Sequence, residues 1–279
     1  MVSLYALIAE PLSFSFMQKA LWIAVVVGTV CAVLSCYLVL KGWALMGDAV
    51  SHAVLPGVVL AYAAGLPLVA GAFAAGLFSA VATGFLKANS RIKEDTVMGI
   101  VFSGMFGLGI VLFTQIETDQ DLSHILFGNL LGISWRDLVE TSVIALATLT
   151  VVIAKRRDLL LYCFDPQHAQ AIGLPVSRLY YGLLIVLALT IVASLKAVGI
   201  ILVVAMLIGP GATAFLLTAR FDRMVLVAVA SAVLAGIFGV LISFHIDGAT
   251  GPCIVLVQTA FFLAALVLSV IQRRRAIAG

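Results

Sequence analysis

Asp48 and His52 stand four residues apart in MGDAVSHAVLPG, residues 46–57, inside a run otherwise apolar enough to cross a membrane. At ~100° per residue the two differ by only ~40° around a helix, so both side chains leave the same face. An ionisable side chain in hydrocarbon is costly, and such groups face a bundle interior or a water-filled path. A carboxylate with an imidazole is a hard and borderline donor pair that suits a first-row transition metal. Ser51, between them, can add an oxygen. Zinc in a tight structural site takes four ligands, so this set fits an ion in transit, which must also leave. Pro56 and Gly57 can kink the helix just beyond. Counted from Lys41 as the start of the span, Asp48 lies roughly 10 Å and His52 roughly 16 Å in, near the middle of a ~30 Å hydrocarbon core. Two roles are open to the pair: ligands on a transport path, or an Asp–His hydrogen bond that holds helices together.

Other groups of ligating side chains lie outside the apolar runs. Glu117, Asp119, Asp121 and His124 share one connection, which reads as an ordinary solvated acidic loop, with concentrating cations or meeting a delivery protein as the alternative. His245 and Asp247 fall in FHIDGATGP, where Gly248, Gly251 and Pro252 predict a turn, with a second ligand pair as the alternative. Cys31, Cys36, Cys163 and Cys253 form no C-x-x-C and read as small apolar fillers or free thiols.

The elements that must position these residues are legible from composition. The 279 residues are 63% hydrophobic and 10% charged, against roughly 25% charged in a soluble domain. Repeated apolar runs of about 20 residues predict an all-α, polytopic membrane bundle in a single domain over residues 1–279. Nine spans are expected, within a range of eight to ten, near 18–39, 43–63, 67–87, 95–115, 136–154, 178–195, 197–217, 223–243 and 251–271. Residues 1–17 lack a basic start, so the first apolar run is read as a retained span and not a signal peptide. Alternating the connections puts 13 of the 16 basic residues on one side and leaves Lys19, Arg136 and Lys196 on the other. The positive-inside rule makes the first side cytoplasmic, with the N-terminus outside and the C-terminus inside. Small residues in the third, fourth and eighth spans predict close helix packing. Gly209-Pro210-Gly211 predicts a kink or a broken helix in the seventh.

The longest cytoplasmic connection covers residues 155–182. Within it Asp165 reads as an N-cap, Pro166 as the first helical residue, and Gly173 as the end of a short helix beyond which Pro175 blocks continuation. Such a helix suits a soluble partner, and His168 on it reads as a surface residue. The chain carries no Walker A motif, so if transport is ATP-driven the ATPase is another chain.

FMQKAL, LKGWALMGDAVSHAVLPGVVLAY, KEDTVMGIVFSGMFGLGIV and DPQHAQAIGLPV resemble the membrane permease subunits of bacterial ABC importers for manganese, iron or zinc, over about residues 10–270. The resemblance implies a multi-pass protein of the inner membrane that catalyses no covalent chemistry and holds no permanent cofactor. It implies a second permease copy or paralogue, a cytoplasmic ATPase dimer and an extracytoplasmic metal-binding protein as partners, and no nucleic acid. Asp48 and His52 then correspond to the intramembrane metal path. The segment 155–177 carries the ATPase-coupling helix, with Asp165, Pro166, Ala169 and Gly173 at the contact. A proton-coupled secondary metal transporter and an intramembrane metalloenzyme are the alternatives. The first would use Asp48 and His52 as proton carriers, and the second would want a three-ligand set such as H-E-x-x-H.

Overall fold

The computed structural model describes residues 10–43, 45–115 and 130–278, and no strand occurs among them. Nine helices among the described residues are long and apolar enough to cross a membrane. Each falls within a few residues of its expected position.

The first, α1 (Ser15–Lys41), stops at Gly42, whose φ of 76° is a conformation that glycine adopts without penalty. The Trp43 N–H then closes onto the Leu38 carbonyl at 2.8 Å, a helix end that reverses the chain at once. The second span is two helices, α2 (Met46–Ala53) and α3 (Leu55–Ala63), interrupted at Val54. Pro56 is the cause, since it has no N–H to return to the His52 carbonyl four residues back and its ring crowds that group. The interruption falls two residues ahead of the proline, at Val54, whose backbone stays in the helical region.

Next come α4 (Leu68–Ala88), α5 (Glu94–Gln115) and α6 (Trp135–Ala154). The short α7 (Arg156–Phe164) and α8 (Pro166–Ala171) lead into α9 (Val176–Leu217), α10 (Phe221–Ile246) and α11 (Thr250–Ala278). Helix α9 holds two spans joined at Gly199, where φ is 77° and the backbone leaves the helical region. A straight helix would put residues 180 and 211 roughly 46 Å apart. Yet Tyr180 packs edge-on against Trp43 just past the end of α1, while Gly211 meets Ser35 two turns inside that end. The chain therefore doubles back between the two spans.

Of the two outcomes expected at Gly209-Pro210-Gly211, a kink or a broken helix, the break does not occur. Pro210 sits inside an unbroken helix. Ser35 bonds the backbone on either side of the proline: its hydroxyl accepts from the Gly211 N–H at 2.9 Å and donates to the Ile208 carbonyl at 3.2 Å. A neighbouring side chain can satisfy freed backbone groups in this way within a membrane. The two glycines serve packing, Gly209 against Gln258 and Gly211 against Ser35.

Helix α9 is the hub and packs on α1, α2, α4, α6, α10 and α11, while α1 packs on α6, α7, α9 and α10. Gly28 and Gly236 let α1 and α10 meet through Ala232 and Ala24. Gly57 of α3 and Gly71 of α4 face each other so closely that a Cβ on either would overlap the carbonyl of the other. The small residues of the third and eighth spans thus pack inside the chain. In the fourth, only Gly109 does so, against Leu55; Gly99, Ser103, Gly104 and Gly107 stand on an exposed face of α5.

Candidate functional site: an Asp–His pair on an open helix face

Asp48 lies in the first turn of α2, where a carboxylate suits the positive end of the helix dipole, and His52 in its last. The His52 Nδ1 is 3.0 Å from the Asp48 main-chain oxygen and 3.2 Å from its Oδ1. Two acceptors therefore hold the ring, and with Nδ1–H donating to them Nε2 keeps its lone pair. A metal-binding histidine is commonly oriented by such a bond from its other nitrogen to a carboxylate or carbonyl. Phe102 and Phe106 of α5 wall the ring edge-on, with centroids 5.1 and 5.6 Å away. Neither polar side chain is sealed: His52 is 24% and Asp48 38% exposed. The arrangement offers one nitrogen and one carboxylate to a cation arriving from the open side, against an aromatic wall.

Two sequence-based details change. Because α1 ends at Lys41 and α2 begins only at Met46, Asp48 is roughly 3 Å and His52 roughly 9 Å from the start of their helix. Along this 18-residue span Asp48 lies about a tenth and His52 about a third of the way, short of its middle. Ser51 is buried, and its hydroxyl donates to the Gly47 carbonyl at 2.7 Å. It is turned to the core, away from the face that carries the pair.

Of the remaining candidates, His245 and Asp247 are described and are placed apart from this pair. His245 hydrogen-bonds through Nδ1 to the Leu241 carbonyl of its own helix at 2.8 Å, and Asp247 adopts a left-handed cap with φ 51°. The turn is the reading that the structure supports there. His124, with Glu117, Asp119 and Asp121, lies outside the described residues. Among the described residues no three His, Cys, Asp or Glu side chains gather to hold a metal.

At the basic end of the bundle, Asp165 caps α8 by accepting from the His168 N–H at 2.9 Å, Pro166 takes the first position, and Gly173 ends the turn with φ 85°. Ala169 is fully buried within the chain. It cannot meet a docking protein, because its methyl is spent on holding α8 to the bundle. What the tip exposes was missed by the sequence reading: Phe164 is 78% and Ile172 57% exposed, large apolar residues at either end of α8. Their signal was available, since both flank a capped helix on the polar side of two spans. A chain of aromatic contacts leads inward from α7. The Lys41 ammonium lies 4.2 Å from the Tyr162 ring centre and 5.8 Å from that of Trp43, which precedes α2. The Arg156 guanidinium pairs with Asp222 and ties α7 to α10.

Nine apolar spans, a polar pair on an open helix face and a capped helix protruding at the basic end define a multi-pass helical membrane protein of transporter type. Residues 13–269 match the ABC 3 transport family, and the chain belongs to it. It is 66% identical over 264 residues to the chelated iron transport system membrane protein YfeD of Yersinia pestis, covering 95% of this chain and 89% of that one. It is 53% identical over 260 residues to the manganese transport system membrane protein MntB of Synechocystis, covering 93% and 85%. Among solved structures, PsaBC of Streptococcus pneumoniae in complex with Fab superposes with a TM-score of 0.83 at 39% identity, over 92% of this chain and 94% of that one.

Proposed function

We propose that this chain is the inner-membrane permease subunit of an ATP-binding-cassette importer for a divalent transition metal, manganese or iron, with zinc as a third chemically close cargo. Family membership and the iron and manganese relatives support the class. The observation that carries the site is His52, held through Nδ1 by Asp48 with both side chains partly exposed. Nε2 and the Asp48 carboxylate bind the ion in passing, and water or a second permease completes its coordination. That second copy or paralogue packs on the exposed Gly99, Ser103 and Gly107 stripe of α5, a small-residue face with no partner among the described residues. The stripe neighbours Phe102 and Phe106, so two Asp–His pairs would border one path.

The ATP hydrolysis belongs to a separate cytoplasmic ATPase dimer that seats on Phe164, Asp165, Pro166, Ile172 and Gly173. Its motion reaches the metal pair through Tyr162, Lys41 and Trp43, which join α7 to the start of α2. An extracytoplasmic binding protein delivers the metal at the opposite end. Uptake of radioactive manganese or iron, measured per assembled complex, tests this reading. Asp48→Asn and His52→Ala should each lower it at least ten- to one hundred-fold, the range that follows loss of a metal-orienting partner, while the complex still assembles. Wild-type uptake should also fall in acid, because a protonated imidazole cannot bind metal. If both variants fail to assemble but transport normally per remaining complex, the pair is structural. Uptake that continues without ATP but needs a proton gradient would replace the ATPase reading with a secondary transporter.

A further inference from the structure

At the end of the bundle opposite the basic one, α1 and α6 enclose a groove of about 630 Å³ that opens sideways. Lys19 and Trp22 of α1 form one wall; Trp135, Val139, Ser142 and Leu146 of α6 form the other. The Lys19 ammonium sits 5.2 Å from the centre of the Trp135 ring. No carboxylate pairs with it among the described residues. Trp22 joins the two walls through its indole N–H, which donates to Ser142 at 3.3 Å. Lys19 and its near neighbour Arg136 are two of the three basic residues at this end, where positive charge is otherwise scarce.

The dimensions and chemistry fit one class of molecule. From Trp135 to Leu146 helix α6 rises roughly 16 Å, about half of a ~30 Å hydrocarbon core. The wall is apolar along that length and basic at its mouth, and paired indoles are the side chains that settle at the headgroup level. We propose that the groove holds one anionic phospholipid, its phosphate on Lys19 and an acyl chain running past Trp22 and Trp135 toward Leu146. A net negative headgroup is favoured because a zwitterionic lipid brings its own cation to compete with Lys19.

The chain has three tryptophans, and Trp43 is buried, so Trp22 and Trp135 report on the groove. The full chain is reconstituted in bilayers doped with brominated phosphatidylglycerol or brominated phosphatidylcholine, and quenching of tryptophan fluorescence is followed against mole fraction. Half-maximal quenching should need at least threefold less of the brominated phosphatidylglycerol. Lys19→Gln should abolish that preference and Lys19→Arg should retain it. Equal quenching by the two lipids in the wild type would mean ordinary bilayer contact and would overturn the proposal, whatever the variants do. Preference surviving in Lys19→Gln would overturn the phosphate assignment. Weak quenching by both lipids, relieved by deleting residues 1–9 or by dissociating oligomers, would mean that protein fills the groove and would also overturn it.

Discussion

Phe164 gives the most direct test of how this chain would engage a soluble ATPase. Its side chain is 78% exposed, next to the cap of α8, and therefore contributes little to the fold of the permease itself. Full burial of a phenylalanine stabilises by about 1.5–3 kcal/mol. With most of the surface still open, seating Phe164 in a partner should supply about 1–2 kcal/mol of the association. At 1.4 kcal/mol per tenfold, Phe164→Ala should weaken ATPase binding by about five- to thirty-fold. Titrating the purified ATPase against the permease in nanodiscs measures this directly, and thermal unfolding of the variant alone should match the wild type. Ala169→Trp is the contrast. Ala169 is fully buried, so the bulkier ring should lower the unfolding temperature before any partner is added. An unchanged affinity in Phe164→Ala would refute the assignment of this tip as the docking surface. A large loss of stability in that variant would refute the claim that Phe164 is free of the fold.

Ser35→Ala removes the hydroxyl that bridges Gly211 and Ile208 beside Pro210, and should cost about 1–3 kcal/mol in detergent unfolding, with the loss concentrated in α9. Gly71→Ala places a methyl against the Gly57 carbonyl, so α3 and α4 must separate; about 1–3 kcal/mol of destabilisation is expected in the same assay. Cysteines introduced at Arg156 and Asp247 should label from opposite sides of intact cells, the first from the cytoplasm and the second from outside, with an impermeant thiol reagent. The native thiols give no background: all four are free and buried. Burial pushes the Cys163 thiol up to about 12, so it stays protonated and unreactive at pH 8 and labels only after unfolding.

The sequence by itself determined the spans, the charged ends and the Asp–His spacing. Each follows from local rules: about 20 apolar residues cross a bilayer, and residues four apart share a helix face. The cap of α8 was equally local, because Asp165, Pro166 and Gly173 act within a single turn. Tertiary structure decided the rest. The depth of His52 depended on where α1 stops, and that is a backbone reversal at Gly42 and not a feature of composition. How the backbone around Pro210 is held depended on Ser35, a residue far away in sequence that bonds on either side of the proline. Ser51 and Ala169 looked available for contact and proved buried, while Phe164 and Ile172 looked apolar and proved exposed. In a membrane chain most residues are apolar whichever way they point, so composition carries little information about the inward face. Only the packed neighbours of each helix assign it.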